Sequence, residues 1–447
     1  MLRASHQVAY YPSALSRFSS YPHQPSTRPL SQDMSSRLPI ELIEHSIHFL
    51  DGDFPTLATC SLVSSGLLPI CRSLLWRDVK ISMATNGKPK EALLFSKVRE
   101  LLALNPDIGH YVRSSSFDFE HSVAMPDIAV SFCKCFPSLR SLTLHNIKSF
   151  DILRLLAAID VIPSLEEFHL EDNIAFDNCS GTDVAHNSLH DELFPRLIKF
   201  SVVDGQSPST AYQQMLSFLE TSRHSSSLRS LDLRIGLERD HDDNTTTGPG
   251  VPSYAPQLDH FGILLNDLTD NGAIDSNGRS HMDQVFLQLP RASALRSLCI
   301  QYDCFAFFFL KEYLSAPGVN HGTTAAVSPY YLDKLSNLLS SSHTPPFPDL
   351  ERLSLVFSQP LSWLFGSEAA FERLAQAILG ESSSGGRRYP KFARLEVCFV
   401  LSVNIGVLHG DKGVKKAWEQ FEVDKRKFVQ MLADFTLAGV DVRVWMV

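Results

Sequence analysis

The chain has 447 residues, 44% hydrophobic and 20% charged, which is longer than one compact core needs and ordinary in polarity for a globular protein. A formal charge of −9 argues against nucleic acid as the main partner. No apolar run reaches the roughly 18 residues that a bilayer span requires, so no membrane partner is expected.

Residues 1–35 read as a disordered tail: residues 1–32 hold no Asp or Glu, are rich in Ser, Pro and Tyr, and carry Arg3, Arg17 and Arg28. A mitochondrial transit peptide shares that composition, but Pro12, Pro22, Pro25 and Pro29 would interrupt an amphipathic helix. Eight cysteines are scattered among mostly hydrophobic neighbours, as expected of small buried side chains in a reducing compartment. Cys133 and Cys135 could form half of a metal site, but no second pair lies at zinc-site spacing. The expected location is cytoplasmic, nuclear or both.

Residues 36–82 show the first ordered pattern. Ser36 is a capping residue, Pro39 suits a first turn, and Glu41 and Glu44 suit the positive end of a helix dipole. Ile40, Ile43, Ile47 and Leu50 recur at helical spacing, with Leu42 and Phe49 widening the stripe. Asp51–Pro55 breaks this helix; further helices are predicted over Thr56–Ser64 and Pro69–Trp76. Three short helices bury little core alone, so such a module leans on a partner or a neighbouring domain.

The segments Leu38-Pro39-x-Glu41-Leu42-Ile43, Leu57-x-x-Cys60-Ser-Leu62-Val63-Ser64 and Leu74-Leu75-Trp76-Arg77, in this order, resemble an F-box, most closely the F-box-like motif that opens many basidiomycete fungal proteins. The resemblance covers about one tenth of the chain. It implies a surface that docks on the Skp-type adaptor of a cullin–RING ubiquitin ligase, with Leu38, Pro39, Leu42, Ile43, Leu62 and Val63 in the contact. Family members usually carry Trp shortly after the Val-Ser, where this chain has Leu67. Loss of a large aromatic anchor there would weaken docking by ~1–3 kcal/mol.

From residue 83 onward a repeat dominates. The template Pro-x-Leu-x-x-Leu-x-Leu appears at Pro137–Leu144, Pro163–Leu170, Pro195–Val202, Pro256–Ile263, Pro348–Leu355 and Pro390–Val397, and without its proline at Ser227–Leu233 and Ala294–Ile300. A weaker copy begins at Val112. The alternation of apolar and polar residues predicts strands with one buried face. Two outward columns follow: Ser141, Glu167, Lys199, Ser230, His260, Ser297, Arg352 and Arg394, then Thr143, His169, Ser201, Asp232, Gly262, Cys299, Ser354 and Glu396. Neither holds a bulky aliphatic side chain, so this face is expected to meet solvent or a protein substrate.

Helices are predicted between the strands at Asp127–Phe132, Asp151–Ala158 and Tyr212–Leu219. The expected fold is α/β: a three-helix module, then an irregular array of parallel strands with helices outside. It resembles a leucine-rich-repeat solenoid, although the usual asparagine after the strand occurs at Asn173 and in few other units. Loop insertions are expected at 238–254, 315–328, 340–347 and 380–388, and a long helix with a final strand as the closing cap.

No phosphate-binding loop, nucleophile elbow or zinc-protease motif occurs. His45 and His48 share a helix without a third ligand nearby, and Asp240–Asp243 reads as a solvated charge run. Phe305–Leu310 reads as core packing. The expectation is a substrate-receptor adaptor without a cofactor or catalytic residues of its own. The alternative is a repeat scaffold whose helical module only caps the array.

Overall fold

In a computed structural model the described residues are 39–83, 93–119, 126–148, 150–159, 162–172, 174–176, 197–208, 211, 212, 214–216, 219, 227–238, 257–266, 281–303, 327–341, 344–357, 367–381, 385–400 and 411–446. The tail at 1–35, Leu38, Asn173, Asp240–Asp243 and Phe305–Leu310 lie outside them. The architecture is α/β with parallel strands, in two compact units: Met1–Ile147 with Val161–Leu165, and Lys148–Asp160 with Glu166–Val447.

The first unit opens with helices α1 (Ile40–His48), α2 (Phe54–Val63) and α3 (Leu68–Leu75). Pro39 is the N-cap of α1 and makes no side-chain cap; Ser36, the capping residue expected from sequence, lies outside the described residues. The α2 start is better built: the Asp53 carboxylate accepts from the Thr56 amide at 3.2 Å and the Thr56 hydroxyl at 2.7 Å. Strand β1 (Asp78–Ser82) follows, then β2 (Leu93–Leu94), α4 (Phe95–Leu104), a 3₁₀ turn at Pro106–Tyr111, β3 (Ser114–Asp118), α5 (Pro126–Cys133) and β4 (Ser141–His145). The pairs β2–β1, β1–β3 and β3–β4 are all parallel and in register. Residues 78–82, grouped with the helical module by sequence, are therefore a strand of the sheet, with Val79 and Ile81 buried.

The second unit holds α6 (Ile152–Ile159), β5 (Glu167–Glu171), β6 (Ile174–Ala175), β7 (Lys199–Pro208), β8 (Ser230–Glu238), β9 (His260–Asn266), α7 (His281–Gln288) and β10 (Ser297–Asp303). After these come α8 (Val327–Ser340), β11 (Arg352–Phe357), α9 (Glu368–Leu379), β12 (Arg394–Phe399), α10 (Asp411–Met431), α11 (Ala433–Leu437) and β13 (Asp441–Met446). Its strands pair in parallel in the order β5, β7, β8, β9, β10, β11, β12, β13, with β6 added beside β7.

The repeat template now has a physical reading. Several anchors close a tight turn: Leu139, Leu165, Leu295, Leu350 and Phe392 donate their amides to the carbonyls of Phe136, Ile162, Ala292, Phe347 and Tyr389. The template proline is the second residue of four of these turns (Pro137, Pro163, Pro348 and Pro390), where its fixed φ costs nothing. One residue after each anchor, a backbone carbonyl accepts two amides from the next unit. Glu166, Ile198, Arg229, Asp259, Arg296 and Glu351 all do so, at 2.7–3.1 Å in the first case. The anchors Val112, Leu139, Leu165, Leu197, Leu228, Leu258 and Leu295 are all buried, as are both following apolar positions in every unit from β4 to β12.

Rings extend the core in the second unit. Phe168 packs on Phe200 at 5.9 Å, and Tyr302, Phe357 and Phe399 stack at 5.3 and 5.7 Å. Phe421 and Phe428 of α10 close on Phe399 at 6.1 and 5.7 Å. The expected terminal helix and strand are present; Trp418 stands at the edge of this packing, 36% exposed.

The insertions differ in part from the reading. Val327 and Ser328 open α8, because Pro329 in a first helical turn lacks only an amide that has no helical partner anyway. Glu238 ends β8, and Ser340 ends α8. Glu381 and Arg387 form an antiparallel bridge that closes the 380–388 segment on itself.

Candidate functional site

Two surfaces collect the residues singled out by sequence. On the helical module, Ile47, Leu57, Cys71 and Leu74 form a small buried core, packed by Ile43, Leu50, Cys60, Leu67, Ile70 and Leu75. Ile43 and Leu67 are therefore half-buried core members. Pro39, Leu42, Leu62 and Val63 point outward; Leu42 is 53%, Leu62 65% and Val63 75% exposed. Leu42 and Phe49, assigned to the buried stripe by helical spacing, are both exposed. An eight- or nine-residue helix covering so small a core buries only one narrow side. Phe49 meets the His45 ring edge-on at 4.9 Å.

The second surface is the open face of the strands. In the first unit Asp78, Ser114 and Ser141 lie in one row, and Lys80, Ser116 and Thr143 in the next. In the second unit the register aligns Glu167, Lys199, Ser230, His260, Ser297, Arg352, Arg394 and Asp441. The next outward row is His169, Ser201, Asp232, Gly262, Cys299, Ser354, Glu396 and Arg443. Within each unit the predicted columns are thus rows in register, and in the second unit each is extended by one residue of β13.

Their exposure departs from expectation: His169, Ser201, Gly262, Cys299 and Glu396 are buried. Side chains standing 4.7–4.9 Å apart on neighbouring strands shield one another, and they pair. Glu396 accepts from Arg352 Nε at 2.7 Å, from Arg352 Nη2, and from the Ser354 hydroxyl at 2.7 Å. Asp441 accepts from Arg394 Nε at 3.2 Å and Arg443 Nε at 2.9 Å. Arg234 grips Asp232 with two bonds, at 2.9 and 3.1 Å, and reaches Gln301 at 3.3 Å. A Cβ at Gly262 would run into the Asp232 carboxylate, so this glycine makes room for the pair.

The histidines feel this field. Burial, then Lys199, holds the His169 imidazole below its ordinary range, against a 3.3 Å contact with Glu167. Burial also lowers His260, which sits 3.0 Å from the Ser297 hydroxyl; Lys199, Arg352 and Arg234 push the same way and Asp232 opposes them. Burial raises the thiols of Cys299 to about 12 and Cys398 to about 11, so both stay protonated and poorly nucleophilic at neutral pH.

Sequence reasoning missed a third row: Val203 and Arg234, then Leu264, Gln301, Val356, Cys398 and Trp445. Cys299, Val356 and Cys398 pack there with Val400 and Trp445 as a small apolar cluster beside the arginines. Continuing the alternation two residues past each template would have found it. Among the described residues no three His, Cys, Asp or Glu side chains group to hold a metal ion, and no helix is long and apolar enough to cross a membrane. In comparison with known proteins, the chain matches no protein-family model and no curated protein.

Proposed function

We propose that this chain is the substrate-receptor subunit of a cullin–RING ubiquitin ligase, in which the helical module docks a Skp-type adaptor and the strand array holds a protein substrate. The observation that carries the reading is the module's surplus of apolar surface: Leu42, Leu62 and Val63, three residues of the F-box-like motif, are exposed, as is Pro39. A module with so small a core gains by covering them with a partner. Such a receptor needs no catalytic residue, because it contributes proximity while its partners supply the transfer chemistry. A cytoplasmic or nuclear location would fit that role.

A second reading, a repeat scaffold that recruits no ligase, is favoured by one observation. Leu67 packs into the module core where the family's aromatic residue usually stands, and offers no outward anchor.

The test is capture of the full chain by a fungal Skp-type adaptor, with and without Leu62→Ser/Val63→Ser. Both side chains are exposed, so stability should change by no more than about 0.5 kcal/mol per site. Capture of the native chain and its loss in the folded double variant would support the receptor reading. A folded native chain that the adaptor fails to capture would leave the scaffold.

A further inference from the structure

From β7 to β13 the open face carries a charge opposite to that of the chain, while β5, beyond β7, adds Glu167 and Glu171. Over β7–β13 its first three outward rows hold five cations, Lys199, Arg234, Arg352, Arg394 and Arg443, against three carboxylates, Asp232, Glu396 and Asp441. The whole chain is at −9. The charges are also layered: the Glu396 side chain is 5% exposed, whereas those of Arg352, Arg394 and Arg443 are 46%, 37% and 52% exposed. Glu396 thus lies under exposed guanidinium, while Asp441, 46% exposed, stands level with Arg394 and Arg443.

The same pairs fix the arginines in place. Glu396 takes the Nε edge of Arg352 and lies 3.9 Å from Arg394 Nη1, and Asp441 takes the Nε atoms of Arg394 and Arg443. Arg352 Nη1, Arg394 Nη2 and both Nη atoms of Arg443 make no bond to a described residue. A cation whose side chain is already ordered loses less entropy when it binds.

We infer that this arginine ladder on β11–β13 binds an acidic segment of a partner protein, with successive Asp or Glu carboxylates meeting successive guanidiniums. The arrangement favours spaced carboxylates over a single phosphate group. The three arginines stand on three different strands, ~4.8 Å apart per strand; Arg394 and Arg443 meet at Asp441 and Arg352 and Arg394 face Glu396, so no one carboxylate gathers all three. Beside them, the half-buried Val400 and Trp445, packed on the buried Val356 and Cys398, offer an apolar rest for a side chain flanking the acidic run. The inference rests only on the substrate-holding half of the proposed function and needs no ligase adaptor.

The measurement is fluorescence anisotropy of the full chain with a labelled peptide of six glutamates in Gly/Ser flanks, its all-glutamine counterpart, and a peptide with a single phosphoserine in the same flanks. The glutamate peptide should bind at least tenfold more tightly than the glutamine peptide and weaken as salt is added. Arg443→Gln should cost it about fivefold, since this half-exposed side chain bonds only Asp441, which keeps Arg394 as partner. Arg394→Gln should act in the same direction, and Arg373→Gln, on α9, should change nothing. Equal binding of the glutamate and glutamine peptides, or indifference of the folded Arg443→Gln and Arg394→Gln chains, would overturn the inference. So would binding of the phosphoserine peptide alone. Adaptor capture, measured separately, reports on the ligase half, so the two failures are distinguishable.

Discussion

The helical module and the strand array of the second unit solve opposite problems. The module has more apolar surface than it can bury: four side chains form its core while Leu42, Phe49, Leu62 and Val63 stay in water. The array buries an unbroken series of apolar positions and has room left to bury polar ones, including Glu396 and His169. Burial per residue rises with the number of stacked units, so an array can shelter a carboxylate with its partners and a three-helix module cannot. Recognition surfaces therefore take different forms: exposed hydrophobes on one, oriented charge pairs on the other.

Substitutions can break or sharpen that contrast. The largest effect is expected in the array: Phe200→Ala removes a fully buried ring stacked on Phe168 and should cost about 3–5 kcal/mol in denaturant unfolding. Gly262→Ala pushes a methyl group into the Asp232 carboxylate and should cost about 1–3 kcal/mol. A cost near zero would mean that the Asp232–Arg234 pair moves freely. In the module, Asp53→Ala deletes the α2 cap and should cost about 1 kcal/mol, read as faster hydrogen exchange in α2 with the array's exchange unchanged.

The smallest effect is the pH dependence. His169 and His260 have lowered folded values, so below about pH 6.5 the unfolded chain takes up protons first. Stability should be flat above that point and fall as pH drops from it through the folded values. His260→Gln should make the fall shallower; an unchanged slope would place the effect elsewhere.

The array was largely legible because its strands alternate with period two and its turns spend a proline at a fixed offset. Every template anchor is buried, and the two outward columns became rows in register. What stayed hidden was how crowded those rows are. Glu396 and Arg352 are 44 residues apart, and alternation says that each faces outward without saying that they meet. In the module, helical spacing located all three helices but put Leu42 and Phe49 on the wrong side. A one-turn error in the width of an apolar stripe is invisible when every candidate is apolar. The strand at Asp78–Ser82 was missed because its five residues carry no proline and no leucine.

The last strand has a consequence of its own. β13 pairs with β12 and, among the described residues, with no other strand, which makes it an edge of the described strand order. Its outward residues include Asp441 and Arg443, tied to each other, and it is only six residues long. Short length and charge at an edge disfavour strand-by-strand growth between molecules. The residues that complete the arginine ladder thus also help keep the array from extending into its neighbours.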